Sequence, residues 1–339
     1  MTSEPCKDRT LMTALKLAGR APSIHNTQPW MWRIGHRTVH LYADPAVQLA
    51  QADPDRRNLV ISCGIVLHHL RVALAALGWQ AVVHRLPNPA DPDHLASVEL
   101  RSHSPSEEEI ALAAAITHRR TDRRYYSSWP VPPSHSSLLA SRAADEGVAV
   151  RTIREHYLRR HVIDAIAEAA RSHSQDLSYQ LELARWSGRR GSPSGVPARN
   201  TPSPDQQAGA LPARAFADPQ LEQQPEYTAA EDAGILLILA TLDDEPISLL
   251  RAGEATSAVM LTATSLGLAN CPLTEALEVN DTRQRLREDT LGDSGCPQMI
   301  LRVGWAPINA DPLPPTPRHP IADLLIDADA AVSTRASSD

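Results

Sequence analysis

Two helical stretches ending in Leu-Gly, 189 residues apart, set the first limit on the fold. Residues 63–79 read CGIVLHHLRVALAALGW, with Leu67, Leu70, Leu74 and Leu77 at helical spacing before Gly78. Residues 252–268 read AGEATSAVMLTATSLGL, apolar on nearly every side from Gly253 to Leu266. A shift of 189 lays Gly64 on Gly253, Leu77 on Leu266 and Gly78 on Gly267. With 339 residues the chain can bury a full core and hold one large or two medium domains. The identities are few, and alanine-rich helices resemble one another anyway. On these residues alone, repeat and coincidence stand even.

Around the helices the pattern is mixed. Leu11, Leu15 and Ala18 start a helix that Gly19 and Pro22 end. WMWRI and TVHLY flank GHR as a hairpin, and QAVVHRL follows the first Leu-Gly helix as a strand. Ser106 and Glu109 have capping-box spacing, and the helix they open runs into HRRTDRR at 118–124. Residues 172–230 lack apolar periodicity and read as a long loop, either a lid or disordered. AGILLILAT and QMILRVGW read as strands on either side of the second Leu-Gly helix, and a Pro-rich tail follows.

Several functions are disfavoured. A net charge of −7 gives no general reason to bind nucleic acid. The longest apolar run, 233–242, is half a membrane span, and no signal-like segment opens the chain, so a cytoplasmic protein is expected. Four scattered cysteines make no CxxC, which argues for inert thiols. His68 and His69 diverge by about 100° on a helix and His156/His161 miss the i, i+4 register, so no metal site is expected and these histidines are read as partly exposed. GDSGCP at 292–297 resembles a serine-protease nucleophile loop. It lacks a matching histidine segment, so Ser294 is not expected to react.

The stretch PSIHNTQPW at 22–30 is the most unusual. Asn26 and Gln28 can hydrogen-bond a polar ligand, and Ser23 with the loop amides can hold an anion or a ribityl chain. Trp30 and Trp32 share one strand face and read as core. In HRRTDRR, guanidinium groups and a threonine hydroxyl suit a phosphate dianion, although basic residues at a helix C-terminus are favourable without any ligand.

In content and order these stretches resemble the FMN-dependent nitroreductase superfamily, most closely its actinobacterial Acg-type branch. PSIHNTQPW matches the family's PSxxNxQPW-like loop, RRTDRRY at 119–125 its RRSxRxF-like phosphate motif, and PLTEA at 272–276 its Pro-containing loop beside the flavin. Arg318 in TPRHP takes the place of its late basic residue. The order departs from the common pattern, because the loop precedes the phosphate motif by about a hundred residues. Ordinary members build each site from both subunits of a homodimer. The resemblance therefore implies two degenerate halves fused in one chain, a monomer imitating the dimer, with one complete site.

The resemblance implies an α+β nitroreductase fold with a central antiparallel sheet in each half and the long apolar helices packed between them. Its halves are expected at 1–105 and 106–327, with a lid-like insert at 172–230 and a disordered tail at 328–339. It implies FMN as cofactor, NAD(P)H as possible co-substrate and a small nitro or quinone acceptor. The implied cofactor residues are Pro22, Ser23, Ile24, His25, Asn26 and Gln28 from one half. Arg119, Arg120, Thr121, Arg123, Thr274, Glu275 and Arg318 come from the other. Arg119, Thr121 and Arg318 would hold the phosphate, and Thr274 and Glu275 would offer backbone groups to the ring. No catalytic side chain is implied, since hydride passes through the flavin. The competing expectation is a protein that stores or sequesters FMN beneath the insert without turning over NAD(P)H.

Overall fold

The computed structural model describes residues 4–188, 191–203, 211–292 and 294–326. Helix α1 (Glu4–Ala18) leads into the 22–28 loop, followed by β1 (Trp30–Ile34), β2 (Thr38–Ala43), α2 (Arg57–Ala76), β3 (Trp79–Arg85) and β4 (His94–Ser102). After α3 (Glu107–His118) and α4 (Pro133–Ala144) come β5 (Ala149–Ile153), α5 (His156–Gln175) and α6 (Leu177–Arg185). The chain ends with β6 (Ile235–Thr241), α7 (Pro246–Ser265), β7 (Ala269–Leu273), α8 (Glu275–Glu278), α9 (Asn280–Leu286) and β8 (Cys296–Gly304).

The strands form two antiparallel sheets of the same design. One has the order β1-β2-β4-β3 and the other β5-β6-β8-β7. In each, one long helix links the second strand to the third, α2 in the first and α7 in the second. These are the two Leu-Gly helices, and their contact decides between repeat and coincidence. A Cβ on Gly64 would lie 2.1 Å from the Leu250 carbonyl oxygen, and one on Gly253 would lie 2.0 Å from that of Ile61. The two glycines matched by the 189-residue shift touch each other, as do residues related by a twofold axis passing between them. His68 and Ser257, also 189 apart, meet at 2.8 Å. The match is a repeat, and the fold is α+β with two halves in one chain.

The main core runs through both halves, joining Trp30, Trp32 and Leu41 to Leu237, Leu239 and Leu301 by way of α2 and α7. Both tryptophans are fully buried, as read from their shared strand face. Strand β6 is apolar on both faces because Leu236 and Ile238 point away from α7 into a second cluster with Val162 and Ile166 of α5. Helix α2 is, by length and composition, long and apolar enough to cross a membrane, but it is a core helix here, mostly buried inside the fold.

The 172–230 stretch departs from the expected loop. Helix α5 runs on to Gln175, and Asp176 caps α6 by accepting from the Ser178 and Tyr179 amides. Leu177 and Leu181 are exposed on the opposite side of α6, which blurs the short apolar stripe of Tyr179 and Leu183. Irregular chain begins at Trp186 and is tied by single bridges, Ser187 to Val196 and Pro202 to Leu221. The expected tail at 328–339 lies outside the described residues.

Candidate functional site

The loop after α1 is held in an uncommon conformation. His25, Asn26 and Gln28 have φ of 43°, 56° and 53°, each costing about 1–3 kcal/mol unless the surroundings enforce it. Here they do: the Ser23 hydroxyl accepts from the Gln28 amide at 2.9 Å, and the Ile24 amide donates to Ser62 of α2 at 3.2 Å. This twist sorts the side chains. Pro22, Ser23, Ile24 and His25 face a large cavity, whereas Asn26 and Gln28 do not line it. The Asn26 amide lies 3.1–3.2 Å from the carbonyl oxygens of Pro193, Gly195 and Pro317. Gln28 donates to Pro193 O at 2.9 Å and accepts from the His319 amide at 3.0 Å. Both amide side chains thus hold the insert and the late Pro-rich segment.

The cavity encloses about 1210 Å³ of empty space, its open mouth included. Its first wall is the loop with Asn58, Ile61, Ser62 and Ile65 of α2. Facing them, Thr121, Arg123, Cys271, Pro272, Thr274 and Glu275 come from the second half. The third wall is the insert, Leu211–Arg214 and Phe216. Arg123 donates to Asn200 O at 3.1 Å and sits over the Phe216 ring at 5.1 Å. Thr274 donates to Glu278 at 2.7 Å, and Glu275 pairs with His173 at 3.3 Å.

A smaller hollow, about 280 Å³ with the open solvent at its mouth included, is lined by Arg20, Arg119, Arg120, Thr316 and Arg318. It adjoins the large cavity along two backbone stretches: Arg119 and Thr121 are two residues apart, as are Arg20 and Pro22. Among the described residues, no carboxylate pairs with any of the four arginines. Arg318 donates to the carbonyls of Ala21 and Arg20 at 3.2 Å, and Arg120 to that of Leu313 at 3.1 Å. Arg119 is 6 % exposed, and its Nε and Nη1 have no hydrogen-bond partner. Burial, then the neighbouring arginines, pushes Arg119 down to about 10 and Arg318 down to about 9. Stranded buried donors under mutual repulsion are the signature of an anion site.

Sequence reasoning missed Arg20, Asn58 and Ser62, and it missed Arg214. Arg20 lies just before the 22–30 motif and could have been included. Arg214 sits in a stretch with no periodicity, so nothing in the residue pattern singles it out.

The counterpart of the cavity across the pseudo-twofold is filled. The 189-residue shift carries Ile65 onto Glu254 and Thr274 onto Arg85. Glu254, fully buried, takes Arg85 at 2.7 and 2.9 Å and Arg71 at 2.8 Å, and Arg71 continues to Glu146 at 2.7 Å. Glu146 follows α4, which packs on α7 and has no counterpart between the 22–28 loop and β1. One open cavity and one plugged counterpart remain.

His68 and His69 are buried, not partly exposed, because Ser257 sits between them at 2.8 Å from each Nδ1. Burial lowers the pKa of both well below the usual imidazole value, so both are neutral. Ser294 is exposed and donates only to Gly292 O at 3.4 Å, with no histidine beside it among the described residues. No group of three or more His, Cys, Asp or Glu capable of holding a metal occurs among the described residues.

No family model matches the chain. Two curated relatives from Mycobacterium tuberculosis do. One, named "Putative NAD(P)H nitroreductase Rv3131", is 50% identical over 316 residues, covering 93% of this chain and 91% of the relative. The other, "Putative NAD(P)H nitroreductase acg", is 37% identical over 317 residues, covering 93% and 95%. Among solved structures, an FMN-bound nitroreductase from Bacteroides fragilis superposes with a TM-score of 0.38 at 14% identity, over 59% of this chain and 90% of that one. Half identity across nine-tenths of both lengths leaves little of the sequence outside the relationship: the chain belongs to the family of these mycobacterial putative NAD(P)H nitroreductases.

Proposed function

We propose that the chain binds one FMN and works as an NAD(P)H-dependent reductase of small nitro or quinone compounds. The observation that carries the flavin reading is Arg119, buried with two unpartnered guanidinium nitrogens beside three more arginines and next to a largely apolar cavity. That arrangement fits a ligand with a phosphate at one end and a flat apolar ring system at the other. In this reading Arg119, Arg120 and Arg318 neutralise the phosphate, with Arg20 beside them. Thr121, Ser23 and the Pro22–His25 backbone lie where the linking chain passes. Arg123, Thr274 and Glu275 border the ring, with Ile61, Ile65 and Pro272 providing apolar contact. When bound, the flavin supplies hydride transfer between a nicotinamide and the acceptor. The residues' part is positioning and exclusion of water, and no acid or base side chain is required of them.

The plugged counterpart supports one site per chain, and the α2–α7 contact, internal to the chain, supports a monomer that reproduces a dimer's interior. A second reading, storage or sequestration of FMN, is favoured by one observation: the insert forms a wall of the cavity and is bonded to the 22–28 loop. Anaerobic addition of NADH or NADPH to the yellow protein separates the two. Rapid bleaching of the flavin absorbance supports the reductase, and lasting colour with both nucleotides overturns it in favour of storage. A colourless protein that takes up no FMN overturns both.

A further inference from the structure

Two side chains on the cavity wall each carry a hydrogen-bond donor that has no partner among the described residues. The first is Asn58, in the first turn of α2, which is 3% exposed and lines the cavity beside Ile61 and Ser62. Its backbone is firmly held. Asp53 accepts from the Asn58 and Leu59 amides at 2.8 Å each, and the Asn58 carbonyl accepts from the Ser62 hydroxyl at 2.7 Å. Its side chain is not. Oδ1 lies 3.5 Å from Arg57 Nη2, too long for a firm bond but enough to turn the oxygen toward that cation. Nδ2 is left to point elsewhere.

The second is His25. An arginine can only donate, so His25 Nε2, 3.2 Å from Arg214 Nη1, must accept. Burial, and then the Arg214 charge, keeps the ring neutral by lowering its pKa to about 3. The one ring proton therefore sits on Nδ1. The backbone is held in the left-handed region at φ 43°, so ring position and tautomer are both imposed by the surroundings.

Both donors lie toward α8. Arg57 donates to Leu277 O of that helix at 3.0 Å, and Arg214 joins His25 to Glu278. The Ile24 amide donates to the same Ser62 hydroxyl that bonds the Asn58 carbonyl, so the loop and the start of α2 meet there. The arginine hollow is reached from the other end of the loop, at Arg20. Charge separates the two ends as well. Guanidinium groups suit an anion, whereas an amide and a neutral imidazole suit an oxygen without formal charge.

We propose that Asn58 Nδ2 and His25 Nδ1 are a donor pair that receives an uncharged oxygen at the α8 end of the cavity, either a nitro or quinone oxygen of the acceptor or a ring carbonyl of the flavin. The ligand's identity rests on the reductase reading above; the two unpartnered donors do not.

The test compares the full natural chain with Asn58→Leu, which nearly matches the amide in volume, and His25→Asn, which tolerates the left-handed backbone but is shorter. Calorimetry gives the dissociation constant of FMN and, on the flavin-loaded chain, that of 1,4-naphthoquinone. A rise of about five- to tenfold is expected in each variant, the size of one lost neutral hydrogen bond. A rise for the quinone alone assigns the oxygen to the acceptor. A rise for FMN, with a displaced flavin absorbance band, assigns it to the ring. Natural values for both ligands in either variant overturn the pair. If the natural chain takes up no FMN, the flavin reading fails and quinone binding to the flavin-free chain decides: a fivefold loss in Asn58→Leu upholds the pair, and unchanged or absent binding overturns it. Flavin-free Asn58→Leu should melt no more than about 3 °C below the natural chain, since its amide makes no firm bond within the protein. A larger fall, or failure to fold, makes Asn58 a structural residue and overturns the proposal. If His25→Asn does not fold, Asn58→Leu decides alone.

Discussion

The arginine hollow should make the ligand-free protein less stable than it could be, and Arg119 allows the effect to be sized. Burial and the charges of Arg120 and Arg20 hold its pKa down to about 10. An unperturbed arginine lies two to three pH units higher, and at ~1.4 kcal/mol per unit the folded state carries a penalty of about 3 kcal/mol. The sign follows from proton counts. The folded chain holds this proton less tightly than the unfolded one, so the penalty is complete at neutral pH and is relieved only as pH rises past about 10. Arg119→Met removes the charge and keeps an apolar stem of similar reach. It should stabilise the ligand-free protein by ~1–3 kcal/mol, read as a higher melting temperature, by about 1–2 °C per kcal/mol for a chain of 339 residues. A phosphate dianion should reverse the ranking. Inorganic phosphate or FMN at about 100 times its Kd should stabilise the natural chain by ~2.7 kcal/mol and the variant by little. The phosphate increment should also shrink from pH 8 to 10, as Arg318, lowered to about 9, and then Arg119 lose their charge. A ligand-free Arg119→Met protein that melts below the natural chain, yet gains as much from phosphate, would refute the reasoning.

Three other perturbations probe the frame. Gly253→Ala places a Cβ 2.0 Å from the Ile61 carbonyl oxygen across the α2–α7 contact, so thermal unfolding should show a loss of about 3 kcal/mol or more, or no soluble protein. Glu254→Leu leaves Arg85 without its carboxylate and Arg71 with Glu146 alone, and denaturant titration should show a loss of ~1–3 kcal/mol without change in flavin affinity. Because the counterpart cavity is plugged, titration of the flavin-free chain should saturate at one FMN per chain; two would contradict the filled site.

What was legible in the sequence follows the physics of each feature. The hairpin, the capping box at Ser106 and Glu109, and both Leu-Gly helices rest on local periodicity or capping chemistry, and all are present. Helix α5 carries the same kind of signal, with Leu158, Val162, Ile166 and Ala169 buried on one face and charged residues on the other. The repeat could not be settled by composition. What settles it is the contact of Gly64 with Gly253, a property of the assembled halves rather than of either segment.

The 22–30 stretch shows where residue type stops being informative. A buried amide side chain must find acceptors, but sequence does not say whether they belong to a ligand or to the chain. Left-handed backbone at His25, Asn26 and Gln28 turns the loop so that one end, Pro22 to His25, faces the cavity while Asn26 and Gln28 take the insert. Arg214 closes the same circuit from the far side by donating to His25, and no periodicity in residues 186–230 could have announced it. The loop therefore has two duties that pull in one direction. Its Pro22–His25 end lines the cavity, its amide side chains hold the insert, and any change that straightens the backbone at Asn26 should weaken both together. Asn26→Ala accordingly should raise the rate of cleavage within 186–223 and lower flavin affinity in the same protein. An Asn26→Ala chain with a firmly closed insert and a weakened flavin would show that the two duties are separable.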